Sequence, residues 1–156
     1  MLCCKKMRLL LLISFLLLLN GCWFSGSIHS AAKTGRKDVV ERWLAIGNSI
    51  EEKDVRGFTA LHCAAESGQK EIAEFLLSKG AGIDSLNDIG NTPLHEAAWH
   101  GKLEICHLLV ENGADINIRA VDGKTAAELA AKANRTEVVD YLQKIARERA
   151  VEKPQH

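Results

Sequence analysis

An all-α solenoid of about four stacked helix-turn-helix units, joined by β-turn or hairpin-like loops, is the fold class this 156-residue sequence predicts. Three observations carry it. Glycines recur every 33 residues in three separate series: Gly57, Gly90, Gly123; Gly35, Gly68, Gly101; and Gly47, Gly80, Gly113. Thr59, Thr92 and Thr125 keep the same spacing, as do His29, His62 and His95. The small pairs Ala31-Ala32, Ala64-Ala65, Ala97-Ala98 and Ala130-Ala131 extend it through four units. A fixed period of this length is the signature of stacked repeats that bury a shared core. Two prolines and 47% hydrophobic residues exclude collagen-like and proline-rich disordered chains.

The first element is a targeting segment. Lys5, Lys6 and Arg8 precede the apolar run Leu9 to Leu19, which only Ser14 interrupts. A spanning helix needs about 20 apolar residues, so this shorter run fits an export signal better than a membrane crossing. Leu19-Asn20-Gly21-Cys22 then resembles the cleavage box of a bacterial lipoprotein signal peptide. The resemblance implies removal of residues 1–21, acylation of Cys22 and a short linker over residues 22–27. It further implies an exported, membrane-anchored protein, with the outer membrane favoured because Trp23, not aspartate, follows the cysteine. A signal anchor or ordinary secretion are the alternatives. Cleavage discards three cationic residues and no acid, leaving 17 Lys plus Arg against 20 Asp plus Glu. The formal neutrality of the whole chain therefore hides a mildly acidic mature protein.

Each unit then has the same internal order. Gly-x-Thr opens a first helix, glycine for its free φ and threonine as the N-cap. In the second unit that helix is expected over Ala60 to Ser67, with Gly68 ending it. A second helix follows over Lys70 to Ser78, its Ile72, Phe75, Leu76 and Leu77 on one face. Asp38, Glu71, Glu104 and Glu137 mark its beginning in all four units. Trp43 aligns with Leu76, Leu109 and Leu142 and is expected in the core.

Gly90-Asn91-Thr92-Pro93-Leu94-His95-Glu96-Ala97-Ala98 resembles the ankyrin-repeat signature. Leu108 to Asn117 is similar to its second half, and Gly57 to His62 repeats the opening. The resemblance implies a domain over residues 28–147, in units of about 28–53, 54–86, 87–119 and 120–147, with a charged tail over 148–156. It implies that His62 and His95, with Thr59 and Thr92, stabilise turns by hydrogen bonds to the backbone. The end units depart from the pattern: no Gly-x-Thr precedes Ile28, and Thr125-Ala126-Ala127-Glu128 and Asn134 replace the usual residues of the last. Terminal repeats are expected to be atypical, since each leaves one face to water. Gly82 in place of the usual aspartate is expected to loosen the turn of the second unit.

Catalytic and metal chemistry find no constellation. There is no CxxC, no Gly-x-Ser-x-Gly and no phosphate-binding glycine loop with lysine. Cys63 and Cys106 fall on helix faces of different units, as small hydrophobes rather than nucleophiles. The repeated histidines are too far apart for one zinc ion, and His100 and His107 fall on opposite helices of one hairpin. No enzyme, cofactor, metal, nucleic-acid partner or small-molecule substrate is expected.

The ankyrin resemblance implies instead a protein partner, met by turn tips and by the exposed side of the first helices. The candidate partner-binding residues are Trp99, Phe58, Arg56, Ile89, Asn91, His100, Arg119, Lys124 and Lys132. Trp99 and Phe58 stand out in a chain with 5% aromatics, since interface energy concentrates in aromatic and arginine anchors. The function expected is a lipid-anchored interaction module. The alternatives are an inhibitor or immunity-like protein masking an enzyme, or a structural envelope lipoprotein without a specific partner.

Overall fold

The computed structural model describes residues 27–151. The signal segment 1–21 and the lipidation site Cys22 lie outside the described residues, as does the end of the charged tail. Eight helices and no strand form the described chain. In order they are α1 (Ile28–Lys33), α2 (Lys37–Ala45), α3 (Ala60–Ser67), α4 (Lys70–Ser78), α5 (Pro93–Trp99), α6 (Leu103–Glu111), α7 (Ala126–Lys132) and α8 (Thr136–Val151). They pair as four hairpins, which is the solenoid that the period predicts.

The bounds follow from local chemistry. Thr59, Thr92 and Thr125 precede α3, α5 and α7 in extended backbone, as N-cap residues do. Gly68 and Gly101 follow the first helices with φ of 79° and 69°, left-handed values that glycine reaches without strain. Asn134 stands at the equivalent place in the last hairpin with φ 57°. Asparagine is one of the few side chains that tolerate this conformation. Asp38, Glu71, Glu104 and Glu137 each lie in the first turn of a second helix, where the helix dipole favours an acid.

Packing is tightest among the first helices, which stack in the order α1, α3, α5, α7. Their alanine pairs allow this: Ala32, Ala64, Ala65, Ala97, Ala98 and Ala130 are fully buried. Large side chains of the second helices, among them Ile72, Leu76, Ile105, Leu109 and Leu142, complete one continuous core. Each such fully buried side chain contributes about 2 kcal/mol. Cys63 and Cys106 are buried and free, and burial pushes each thiol up to about 12, so neither is a reactive thiolate near neutrality.

Three expectations are corrected. Trp43 is only half buried and packs against the edge of the core, whereas Leu76, Leu109 and Leu142 at its register are buried. Tryptophan is the largest side chain and is rarely buried outright, where the smaller leucines at this register are. The turn at Gly82 is not loose. Glu51 reaches in from the preceding unit, accepting from Gly82 N–H (2.7 Å) and from the Ser85 hydroxyl (2.8 Å). The same bond recurs one period on, where Asp115 N–H donates to Asp84 (3.2 Å), so it holds the turn with or without the aspartate. Finally, α8 runs past residue 147 to Val151. Arg149 holds the extension by donating to the carbonyls of Ala114 and Val110, both at 3.3 Å.

Candidate functional site

The turns present their residues in columns. Asp54 N–H donates to the Phe58 carbonyl, Asn87 N–H to Asn91, and Ala120 N–H to Lys124, so three tight turns share one geometry. Successive tips are tied together, Asp88 N–H donating to Arg56 O (3.2 Å) and Val121 N–H to Ile89 O (3.1 Å). These inter-repeat bonds are the hairpin-like feature of the loops, without a strand among the described residues.

Histidines fix the tips to the helices. Thr59 N–H and its hydroxyl donate to His62 Nδ1 (3.2 and 2.9 Å), while Nε2 donates to the Asn91 carbonyl of the next turn (3.0 Å). His95 does the same with Thr92 (3.2 and 2.8 Å) and with the Lys124 carbonyl (3.2 Å). The backbone N–H pointing at Nδ1 requires the neutral ring with its proton on Nε2. Burial, the largest influence on both rings, holds them below the ordinary histidine value. His29 bonds the Glu52 carbonyl through Nε2 (2.8 Å). Thr59, His62, Thr92 and His95 thus sit in the turn-stabilising arrangement that the resemblance implies.

Between the tips and the first helices runs a groove of about 800 Å³. Of the candidate partner-binding residues it brings together Arg56, Phe58, Ile89, Asn91, Trp99 and His100. Trp99 is 38% exposed, Ile89 59% and the neighbouring Val121 81%, an apolar rim open to solvent. Arg119, Lys124 and Lys132 are not part of its lining. Arg119 turns to the Gly123 carbonyl (2.6 Å) and Glu128, and Lys124 pairs with Asp122 (2.9 Å). Lys132 lies over the Trp99 ring, 5.9 Å from its centroid.

Two of the candidates are not the open surface expected of them. Phe58 is only 6% exposed, because the Arg56 guanidinium lies over its ring at 4.0 Å and His62 packs against it at 5.4 Å. Asn91 is buried as well, its Nδ2 donating to Glu96 (2.9 Å) and its N–H to Asn87 Oδ1 (2.9 Å). Both belong to the groove's wall and floor. Glu66, a first-helix position at the register of Trp99, accepts from Lys33 (3.2 Å), with Arg56 and His100 each at 3.9 Å. His107 lies apart from His100, stacked on Tyr141 at 3.9 Å.

The groove residue that sequence reasoning missed is Glu96. It occupies the register of Cys63 and Leu129, both buried, and a carboxylate in that apolar column was the available signal. Glu96 is 6% exposed, and its Oε1 accepts from Asn87 Nδ2 (3.1 Å) and Asn91 Nδ2 (2.9 Å). No three His, Cys, Asp or Glu side chains among the described residues gather in a way that could hold a metal ion. The site offers shape, apolar surface and fixed charge, the means of recognition.

A family model of ankyrin repeats in three copies matches residues 28–120, and a second model of ankyrin repeats in many copies matches residues 100–143. No curated protein matches the sequence. Repeats of this family are generally protein–protein interaction modules and are typically not enzymes.

Proposed function

The chain belongs to the ankyrin-repeat family, and we propose that it is a protein-binding module held at a bacterial membrane through an acylated Cys22, taking its partner in the groove beneath the turn tips. One observation carries the binding surface: Ile89, Val121 and Trp99 gather exposed apolar area around a single concavity whose walls are fixed by buried hydrogen bonds. A contiguous apolar patch with a polar rim is the ordinary mark of a protein-binding site, and a wall already ordered spares the partner the cost of ordering it. The membrane anchor is supported by Lys5, Lys6, Arg8, the apolar run and Leu19-Asn20-Gly21-Cys22. Two or more acyl chains hold a protein at a bilayer where one does so only marginally. The outer membrane is the favoured address, on the strength of Trp23.

Pull-down from membranes with the wild-type chain and Trp99→Ala tests the surface. Loss of one co-purifying protein in the variant supports it, and equal recovery refutes it. Labelled palmitate tests the anchor. Label on the wild type that disappears with Cys22→Ala is the expected result, and label that persists rules out Cys22 as its site.

A further inference from the structure

Glu96 uses half of its acceptor capacity within the chain. Both of its hydrogen bonds go to Oε1, and both come from neutral amides, Asn87 and Asn91. No group among the described residues donates to Oε2, and no cation among them pairs with Glu96. A carboxylate oxygen open to a largely apolar groove, with no cation beside it, is a ready acceptor for a charged donor that a ligand brings. The other acids of the groove differ. Glu66 has Lys33, Arg56 and His100 around it, and Asp122 has Lys124. Asp88, on the tip beside Ile89, has no ion-pair partner among the described residues.

The groove therefore pairs an apolar rim with two uncompensated carboxylates, one of them on its floor. We propose that the groove takes a segment of the partner protein that presents an arginine side chain, its guanidinium donating to Glu96 Oε2 and its neighbouring apolar residue resting on Trp99 and Ile89. This rests on the groove being the partner-binding surface. Arginine is favoured over lysine by the surroundings. A guanidinium donates in several directions from one plane, so it can serve Glu96 while its flat faces lie against apolar surface. The protein already makes that arrangement internally, with Arg56 over Phe58 and close to Asp54 and Glu66.

The test is selection of random linear peptides on the full chain in detergent micelles, followed by affinity measurement on wild type, Glu96→Gln and Trp99→Ala. Glu96→Gln keeps Oε1 as an acceptor for both asparagines, so the floor is retained while the charge is removed. The expected result is enrichment of one arginine beside an apolar residue. Replacing that arginine by neutral citrulline is expected to weaken binding by about tenfold or more. The same loss is expected from Glu96→Gln, and the citrulline penalty should vanish on that variant. Peptides that bind in a Trp99-dependent way without an arginine, or with equal affinity for Glu96→Gln, overturn the inference and leave the groove standing as the binding surface. Binding that is indifferent to Trp99→Ala overturns the surface itself. A concentration-dependent dimer lost on Glu96→Gln would assign it to a second copy. That result overturns the partner.

Discussion

The second and third hairpins and the fourth are built on one plan yet close it with different residues. In the interior, His62 and His95 each meet two demands: they cap their own helix through Nδ1 and hold the following turn through Nε2. In the last hairpin Glu128 meets only the first, accepting from Thr125 N–H at 2.9 Å. The glycines divide in the same way. A Cβ on Gly101 would stand 2.8 Å from Arg135 Cδ, and one on Gly68 3.1 Å from Lys102 Cδ, so both positions need left-handed backbone and empty space. Asn134, in the last hairpin, needs the left-handed backbone alone. The small pairs agree, since Ala32, Ala65 and Ala98 are buried while Ala131 is exposed. A repeat consensus is thus the sum of what a unit asks of itself and what its neighbour asks of it. In the last described hairpin, with no further unit packed on it among the described residues, the second half of the consensus lapses.

The largest test of this difference is His95→Ala against Glu128→Ala in urea unfolding. The first strands Thr92 N–H and the Lys124 carbonyl in a buried site and is expected to cost about 3 kcal/mol. The second exposes its partner to water and is expected to cost clearly less. Equal losses would mean that the bond to the next turn adds nothing.

A pH series sharpens the same contrast. His62 and His95 are held below their ordinary value of about 6.5, so above that pH both the folded and the unfolded chain keep them neutral and stability is full. As pH falls through and below about 6.5, the unfolded chain binds protons that the native rings refuse, and stability declines. The slope is at most about 1.4 kcal/mol per pH unit for each histidine. Glu128 is held below its ordinary value, chiefly by the Thr125 N–H, so its contribution persists through this range and fades only as pH falls into the carboxylate range and below. Urea midpoints at pH 7, 6 and 5 should therefore decline for the wild type. They should decline less when both histidines are replaced by glutamine. Parallel declines would place the pH sensitivity elsewhere.

The smallest test concerns the left-handed positions. Gly101→Ala forces a side chain into that conformation and against Arg135, at an expected cost of about 1–2 kcal/mol. Asn134→Gly is expected to gain about 0.5 kcal/mol, since glycine adopts the same backbone more readily. Thermal unfolding of the two variants reads both signs. A loss at Asn134→Gly would show that the asparagine side chain has a role beyond tolerance.

What was legible in the sequence was whatever repeats. The limits of α3 and α4 could be read to the residue, because threonine and glycine stand at fixed offsets around each alanine pair. Asn134 was legible only as a departure from glycine, and its left-handed backbone came from the structure. What escaped were contacts made once. Phe58 looks like a free aromatic until Arg56 is seen lying over it, and no pattern announces a cover supplied by a flexible side chain. The Ser85 hydroxyl donating to Glu51 crosses between units and has no counterpart at Ile118 one period on. Glu96 was visible only as a mismatch within its column, and its burial follows from Asn87 and Asn91 folding over it.

The side chains that hold the turn tips reach forward along the chain, whereas Gln69, Arg135 and Arg149 reach back to Lys33, Trp99 and Ala114. Glu51 serves Gly82 and Ser85, Lys53 donates to the Leu86 carbonyl at 2.8 Å, His62 serves the turn at Asn91, and His95 the turn at Lys124. A polypeptide is made from its N-terminus, and domains fold as units in that order during synthesis. Each of these tips therefore emerges from synthesis after the side chain that will hold it. The stack is its own template, read in the direction in which it is written.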